Sequence, residues 1–426
     1  MTYLNVVEIE SALVGLASTY PSLTHLITLP LFTAEGRQTH ALLIGTGNGC
    51  PQTGVLLVGG THAREWGSPD ICINFAADLL EAYTGGSGLV YGGTSFTAAD
   101  IVEIIERLDV IVYPCLNPDG SKYSHDVFDM WRKNRNPASS GGDAKKIGVD
   151  INRNYDFLWD YKTKFAKKAE DAGSLASDNP ADDLFHGPAP FSEPESQNVR
   201  WLYEEYPQIS WFMDIHSHGG DLLYSWGDDV NQTTTPDMNF TNAAWDGKRG
   251  VDKDVYGEYI NGCDQAQVKA AAEAACAAIK GVRGEPYLAY QSFFLPALGL
   301  TYPTSGASDD WSFSRYFTGS ASNKVRAFTM EFGASEGFFP TWAQMVPIIK
   351  DVDAGLVRFC LEALPTYTLP WWRCHLKKFY YDIWHRVFPP ELWGPYGPWE
   401  RVRRVIESIL IPIIRPIIKT FRNRSR

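Results

Sequence analysis

The stretch Gly54-Val-Leu-Leu-Val-Gly-Gly60-Thr-His62-Ala-Arg64-Glu65 joins a continuous apolar run directly to three charged or titratable side chains. The apolar run, 54 to 60, predicts a buried β-strand. A helix is expected to start at Ser68-Pro69, because proline suits the first turn and apolar residues then recur at helical spacing. A buried strand that leads at once into a helix is typical of a sheet covered by helices on both faces.

The same alternation continues along the chain. Further apolar strands are predicted at 40–45, 109–113, 209–215 and 325–330, and helices at 8–20, 98–108, 192–206, 265–280 and 341–364. Ser192-Glu-Pro-Glu195 is interpreted as a capping box that opens one of these helices, and 159–190 as a long polar loop. The pattern predicts an α/β fold: a mostly parallel, mixed central sheet flanked by helices on both faces.

Four polar residues fall at or just past the ends of predicted strands: His62, Asn117, His216 and Glu331. Ligands of such sheets bind beyond the carboxyl ends of the strands. His62, Glu65 and His216 would offer two imidazoles and a carboxylate to a metal, and Glu331 would remain free as a base. This is the set that a hydrolytic zinc requires. His-x-x-Glu alone is weak evidence.

Seven motifs in order resemble the zinc metallocarboxypeptidases of the carboxypeptidase A/B family, peptidase family M14, over about residues 3 to 362. They are Gly60-Thr-His62-Ala-Arg64-Glu65-Trp66, Asn117-Pro-Asp-Gly120, Met130-Trp-Arg132-Lys-Asn-Arg, Val149-Asp-Ile-Asn152-Arg153-Asn-Tyr, Ile215-His216-Ser217, Tyr302-Pro-Thr-Ser-Gly306-Ala-Ser-Asp309-Asp310-Trp311 and Phe328-Thr-Met-Glu331. The resemblance implies the zinc carboxypeptidase fold and hydrolysis of the C-terminal peptide bond of peptides or proteins.

The resemblance also implies a role for each matching residue. His62, Glu65 and His216 would bind one Zn²⁺ per chain, with Glu331 as general base. Arg132 resembles the family's oxyanion-stabilising arginine, and Arg64 its secondary arginine. The expected clamp on the substrate's terminal carboxylate is Asn152, Arg153 and Tyr302. Asp309 would line the floor of the pocket for the substrate's C-terminal side chain, so Lys or Arg is expected there. Gly227 would leave space in this pocket for large side chains, so bulky apolar residues are expected as well.

Several assignments have alternatives. His218 could replace His216 as a ligand, and Asp310 could replace Asp309 as the selector. Arg132 lies in a basic run of the kind usually found in solvated loops, and Tyr302 could be a core aromatic. At the level of function, a non-catalytic relative that binds a peptide terminus would lack a metal ligand or the base. An amidohydrolase of small acylated amino acids would lack the carboxylate clamp.

Composition narrows the class of protein further. The 426-residue chain has a net charge of −12, which argues against a nucleic-acid partner. Its seven cysteines are scattered, which favours free thiols. The N-terminus shows no secretory signal, so an intracellular location is favoured over a secreted one, and we expect a monomer.

The charge changes sign near the C-terminus. From residue 370 onward there are twelve Lys or Arg and four Asp or Glu, a net charge of +8, which leaves about −20 for the rest. The sequence thus divides into a catalytic domain, 1–365, and a basic, aromatic-rich extension, 366–426. Basic and aromatic residues together suit peripheral contact with an anionic membrane. The alternatives are docking on the acidic body, disorder and an oligomer contact.

Overall fold

The strands and helices follow the predicted alternation through most of the chain. The computed structural model describes residues 2–47, 52–295, 299–333 and 336–364, which lie within one unit, Met1–Tyr367. The interpretation of the 366–426 extension, including membrane contact, falls outside these described residues.

The strands are β1 Thr24–Thr28, β2 His40–Ile44, β3 Thr53–Gly59, β4 Leu89–Tyr91, β5 Thr94–Phe96, β6 Leu108–Tyr113, β7 Ile209–Ser217, β8 Asp221–Tyr224, β9 Asn231–Gln232, β10 Glu258–Tyr259, β11 Leu288–Gln291, β12 Phe294–Leu295, β13 Leu300–Thr301 and β14 Arg326–Phe332. The α-helices are α1 Val6–Thr19, α2 Gly67–Gly85, α3 Ala98–Arg107, α4 Pro118–Asp126, α5 Tyr161–Lys164, α6 Lys167–Ala172, α7 Pro194–Glu205, α8 Gly262–Arg283, α9 Ser308–Ser314 and α10 Trp342–Ala363.

The central sheet is mixed, with the strand order β1-β2-β6-β3-β7-β14-β8-β11. Its middle strands, β6, β3, β7 and β14, run parallel to one another. Strands β1 and β2 are antiparallel additions on one side, and β8 pairs antiparallel with β14 on the other. The predicted fold class is therefore confirmed, and the parallel centre brings the carboxyl ends of four strands to one edge.

Helices cover both faces of this sheet. On one face, α2 packs with the apolar residues Ile71, Phe75 and Leu79, all fully buried as its sequence pattern predicts. Each such side chain contributes roughly 1.5–3 kcal/mol through burial. Helices α8 and α10 lie against each other on the same face. A second apolar cluster, which includes Leu56, covers the other face.

Two local predictions are wrong or incomplete. Helix α7 begins after Glu193, whose side chain makes no capping hydrogen bond, so Ser192-Glu-Pro-Glu195 is not a capping box. Glu195 is buried instead, and its Oε2 accepts a hydrogen bond from Asn134 Nδ2 at 3.1 Å. The 159–190 segment is not entirely loop, because it contains α5 and α6.

The structure also bears on the prediction that the cysteines are free thiols. Within the described ranges Cys72, Cys115, Cys263, Cys276 and Cys360 are free, as the scattered pattern predicts, whereas Cys50 and Cys374 lie outside them.

In the part of the chain that the structure describes, each helix is too short or too polar to cross a membrane.

Candidate metal centre and active site

His62 and Glu65 lie in the turn that joins β3 to α2. Gly60 begins this turn with a φ of +67°, and a Cβ there would come within 3.1 Å of Cys115 Cα, so glycine suits the position. The turn closes where the Glu65 amide donates to the His62 carbonyl at 3.1 Å. These constraints aim both side chains past the carboxyl end of β3.

His216 and Glu331 become neighbours through strand register. Strands β7 and β14 are parallel, and His216 pairs directly with Glu331 near their carboxyl ends. Side chains that pair in register project from the sheet close together. Segments far apart in sequence therefore meet at one edge of the sheet.

His62, Glu65 and His216 form a compact group of ligand atoms. Glu65 Oε1 lies 2.7 Å from His62 Nδ1, and Glu65 Oε2 lies 2.9 Å from His216 Nδ1. The two Nδ1 atoms are 3.0 Å apart. Among the described residues, this is the only group of three or more such side chains arranged to hold a metal ion.

The opposite ring nitrogens face buried carboxylates. His62 Nε2 lies 3.2 Å from Asp150 Oδ1, and His216 Nε2 lies 3.0 Å from Asp214 Oδ2. A carboxylate beside Nε2 favours a proton there and leaves the Nδ1 lone pair free. Two lone pairs and a carboxylate then converge on one point, where a metal cation would stabilise them. The donor set of two imidazoles and one carboxylate thus fits zinc.

His218, the alternative ligand, points elsewhere. Its ring packs edge-on against Phe338, with centroids 4.9 Å apart, and it lines the cavity next to the ligand group. The geometry therefore favours His216 as the third ligand.

Arg132 is held by a carboxylate near the ligand group. Its Nε donates to Asp150 Oδ2 at 3.0 Å, and its side chain is 11% exposed. Burial alone would raise the pKa of Asp150, but Arg132 and His62 hold it well below its usual range. Asp150 therefore positions both a histidine and a cation, and Arg132 is not the solvated side chain of a basic loop.

A cavity of about 300 Å³ opens beside these residues. Its lining includes His62, Glu65, Arg132, Asn152, Arg153, His218, Asp221, Ser292, Tyr302, Thr304, Asp309, Glu331 and Phe338. Glu331 is half-buried, and burial together with the nearby Glu65 carboxylate raises its pKa to about 8. A zinc ion on Glu65 would offset part of that increase, because it would neutralise the neighbouring charge.

The predicted carboxylate clamp lines the same cavity. Arg153 is 2% exposed, and its two terminal nitrogens donate to the carbonyls of Asn152 and Ser174 at 2.8 and 3.2 Å. Asn152 Oδ1 accepts from the Ser308 amide at 2.8 Å. Tyr302 is half-buried on the cavity wall, so it is not a core aromatic.

Asp309 and Asp310 differ in where they point. Asp309 is 3% exposed and lines the cavity, where its Oδ2 accepts from Ser292 Oγ at 3.0 Å. Burial raises its pKa. Both carboxylate oxygens of Asp310 instead lie 3.0 Å from the amide nitrogen of Gly227. Asp310 thus supports the backbone behind the pocket, and Asp309 faces into it.

Gly227 lies behind the cavity wall. A Cβ there would come within 2.7 Å of Thr304 Oγ1 and 3.2 Å of Ser292 Cβ, and both of these residues line the cavity. A larger residue at 227 would therefore push the wall inward, so glycine preserves the width of the pocket without lining it.

Arg64 lies near the rim. Its guanidinium stacks over the Phe338 ring at 4.7 Å and pairs with Asp183 at 3.0 Å. Asp183 is largely exposed, so this ion pair is weak and leaves Arg64 available to a ligand.

Sequence reasoning gave no role to Asp150, Asp214 or Asp221. A usable signal existed for Asp214, which interrupts the apolar strand Phe212-Met-Asp-Ile215 and so needed a buried partner. Asp221 lines the cavity and burial raises its pKa to about 6.

Comparisons with known proteins agree with this fold. The sequence model of the zinc carboxypeptidase family matches residues 9–354, so the chain belongs to that family. Mouse carboxypeptidase A4 is 26% identical over 347 residues, which cover 80% of this chain and 66% of that protein. Carboxypeptidase B of Astacus astacus is 32% identical over 221 residues, or 52% of this chain and 63% of that protein. The chain thus spans somewhat less than two thirds of these relatives.

Solved structures share the fold. Thrombin-activatable fibrinolysis inhibitor superimposes with a TM-score of 0.63 at 19% identity, covering 86% of this chain and 75% of that one. Some relatives that match 45% of this chain are named inactive metallocarboxypeptidases, so membership of the family does not by itself establish catalysis.

Proposed function

We propose that this chain is a zinc-dependent carboxypeptidase that removes the C-terminal residue of peptides or proteins. The observation that carries the proposal is the convergence of His62, Glu65 and His216 at a cavity that is also lined by Glu331 and Arg153. A metal site, a base and a carboxylate receptor are the three parts that such an exopeptidase needs.

The chain's own residues divide the reaction between them. A zinc ion bound by the three ligands would supply Lewis acidity to the scissile carbonyl and to water. Glu331 would accept the proton of the attacking water and then donate it to the leaving amine. Arg132 would stabilise the negative charge that develops on the carbonyl oxygen, since Asp150 holds it in place before the reaction starts.

The clamp would make the enzyme act only at a chain end. Arg153 has a planar guanidinium that can bind a carboxylate through two parallel hydrogen bonds. Asn152 and Tyr302 lie on the same cavity wall and would complete the contacts with a terminal carboxylate, and Arg64 at the rim would bind further along the substrate. An internal peptide bond offers no such carboxylate.

Asp309 supports a preference for Lys or Arg as the residue removed. Its nearly buried carboxylate faces the cavity and has an alcohol and an amide as partners, not a cation. A substrate ammonium or guanidinium would supply the missing charge. The pocket width that Gly227 preserves supports acceptance of bulky apolar residues as well.

The two alternative functions each conflict with residues that are present. A non-catalytic relative would lack a ligand or the base, yet His62, Glu65, His216 and Glu331 are all in place. An amidohydrolase of small acylated amino acids would lack the clamp, but its three residues line the cavity.

The proposal is tested by Glu331→Gln. We expect the variant to bind one zinc ion per chain, as measured by atomic absorption, while kcat falls by roughly three orders of magnitude or more through loss of the base. Glu205→Gln, an exposed change on α7, is the control and should keep wild-type activity.

Chelation provides the second arm of the test. Peptidase activity on a C-terminal peptide library should disappear with a chelator and return with added zinc. Near wild-type cleavage by Glu331→Gln, or activity that survives complete removal of metal, would contradict the proposed mechanism.

A further inference from the structure

A second cavity lies at the opposite edge of the central sheet. Its volume is about 300 Å³, and its lining includes Ile209 and Val325. Ile209 begins β7 and Val325 directly precedes β14, whereas the proposed active site lies near the carboxyl ends of these strands. A strand of nine residues such as β7 is about 30 Å long. The two cavities are therefore separate.

Arg315 provides the charge of this second cavity. The residue is 6% exposed, and its guanidinium lies beside two aromatic rings that pack edge-on against each other, 4.7 Å from Tyr203 and 4.8 Å from Trp311. Trp311 is four residues earlier, so both side chains lie on one side of the chain as it leaves α9. Contact with two rings limits how far the guanidinium can move.

Arg315 differs from the buried Arg249 in having no anionic partner among the described residues. Within the described residues no carboxylate pairs with it, and its Nε, which is inaccessible to solvent, makes no hydrogen bond. Arg249, which is also buried, shows the usual solution: it pairs with Asp246 at 2.8 Å and donates to several backbone carbonyls. A buried cation without a partner is costly, so an anion in the cavity would stabilise it.

The other polar groups of the cavity do not satisfy Arg315. Glu204 lines the cavity but is exposed, and its carboxylate lies 3.8 Å from Arg200 Nε. Asn323 Nδ2 already donates to the Ile209 carbonyl at 2.8 Å. Ser320 and Ser322 add hydroxyl groups that can donate to a bound anion.

We propose that this cavity binds a small oxyanion, with a phosphate or carboxylate group seated on the Arg315 guanidinium. A planar guanidinium matches either group through two parallel hydrogen bonds. Arg315 lines the cavity, so a bound anion would approach the side of the guanidinium that the two rings leave open. The site is independent of the proposed peptidase centre and needs no metal.

Isothermal titration calorimetry of the full chain with inorganic phosphate, and separately with acetate, tests the proposal. Saturable binding of at least one anion is expected, and the stronger of the two identifies the preferred group. Arg315→Gln should raise the Kd at least tenfold, because roughly this much affinity is lost with one charge-assisted hydrogen-bonded pair. Arg153 in the active-site cavity can itself bind a carboxylate, so the titrations are repeated with Arg153→Gln, and the binding assigned to Arg315 is the part that this variant leaves unchanged.

Glu204→Gln keeps the test decisive even if Arg315→Gln does not fold. Removing this exposed negative charge from the cavity wall should tighten anion binding by roughly two- to fivefold. No saturable binding of either anion, binding that survives Arg315→Gln but not Arg153→Gln, or no response to Glu204→Gln would each overturn the proposal.

Discussion

At the scale of single residues, the buried carboxylates of this site differ in what neutralises them. Asp150 lies next to Arg132 and His62, and Asp214 accepts hydrogen bonds from Thr61 and Ser308 while it faces His216. These carboxylates are committed to positioning other groups. Asp309 has neutral donors as partners, and so remains available to a cationic substrate.

Asp309→Ala should therefore change specificity more than catalysis. We expect the ratio of kcat/KM for C-terminal Arg to that for C-terminal Phe to fall by roughly 10- to 1000-fold, because the variant no longer offers a counter-charge in the pocket. Steady-state kinetics on a pair of peptides that differ only in the last residue would measure this ratio.

Asp221→Asn is a useful comparison, since it neutralises another carboxylate of the same cavity. It should leave the ratio close to the wild-type value. An unchanged ratio in Asp309→Ala would mean that Asp309 is not the selector, and Asp310→Ala would be the next variant to examine.

At the scale of elements, a strand could be predicted from the sequence when it formed a long apolar segment. Strands β3, β6, β7 and β14 are nearly continuous apolar segments and were predicted almost to their ends. Strands β8 and β11 have four residues each and contain polar side chains, so no periodic pattern distinguishes them from loops. Their place in the sheet depends on pairing with distant residues.

The error at α7 has a similar origin. Ser192 and Glu195 have the spacing of a capping box, but tertiary contacts override the local preference. Asn134 Nδ2 donates to both Glu193 Oε2 and Glu195 Oε2, at 2.7 and 3.1 Å, which places two carboxyl groups together in the interior. Burial, and then the neighbouring Glu193, raise the pKa of Glu195 to about 8.

Glu195 should therefore make folding stability depend on pH. The folded state holds this proton more tightly than the unfolded chain, where a glutamate has a pKa of about 4.3. Its contribution to stability is complete below that value and is lost as pH rises towards about 8. Glu195→Gln cannot titrate, so between pH 6 and 8 it should gain roughly 1–3 kcal/mol of unfolding free energy relative to the wild type.

Urea unfolding of both proteins at the two pH values would measure this gain. The substitution also changes the unfolding free energy by an amount that does not depend on pH. This amount cancels, because the comparison uses only the change in unfolding free energy between pH 6 and pH 8. Glu205→Gln, an exposed change on the same helix, should show no such difference. A Glu195→Gln profile parallel to that of the wild type would show that Glu195 is already ionised at pH 6.

At the scale of the whole molecule, much of the candidate site was predictable because the fold has a parallel centre. Residues at the carboxyl ends of such strands must meet, whatever their distance in sequence. The partners of Asp150 come from other segments, and an acid in an apolar strand signals that Asp214 has a buried partner without identifying that partner. Side-chain pairing of this kind leaves no period in the sequence.

Truncation tests the proposed division between the catalytic domain and the extension. Helix α10 ends at Ala363 and packs on α8 and α2, and each residue proposed for catalysis or binding precedes it. A chain that ends at Leu364 should therefore keep kcat/KM for peptides within roughly threefold of the full chain, as expected for loss of a segment that touches no substrate. A much larger loss would show that the extension takes part in the peptidase site.

Comparing the same two chains also tests membrane contact, which the basic and aromatic residues of the extension suggest. Each basic residue near an anionic surface contributes about 1 kcal/mol, and the net charge of the segment from residue 370 onward is +8. The full chain should sediment with vesicles of phosphatidylserine and phosphatidylcholine at low salt and be partly released at high salt. The shortened chain, which carries the acidic body alone, should stay in solution under both conditions. If both chains remain soluble to the same extent, the extension is not a membrane anchor. Light scattering of the full chain would then test whether the extension is instead an oligomer contact.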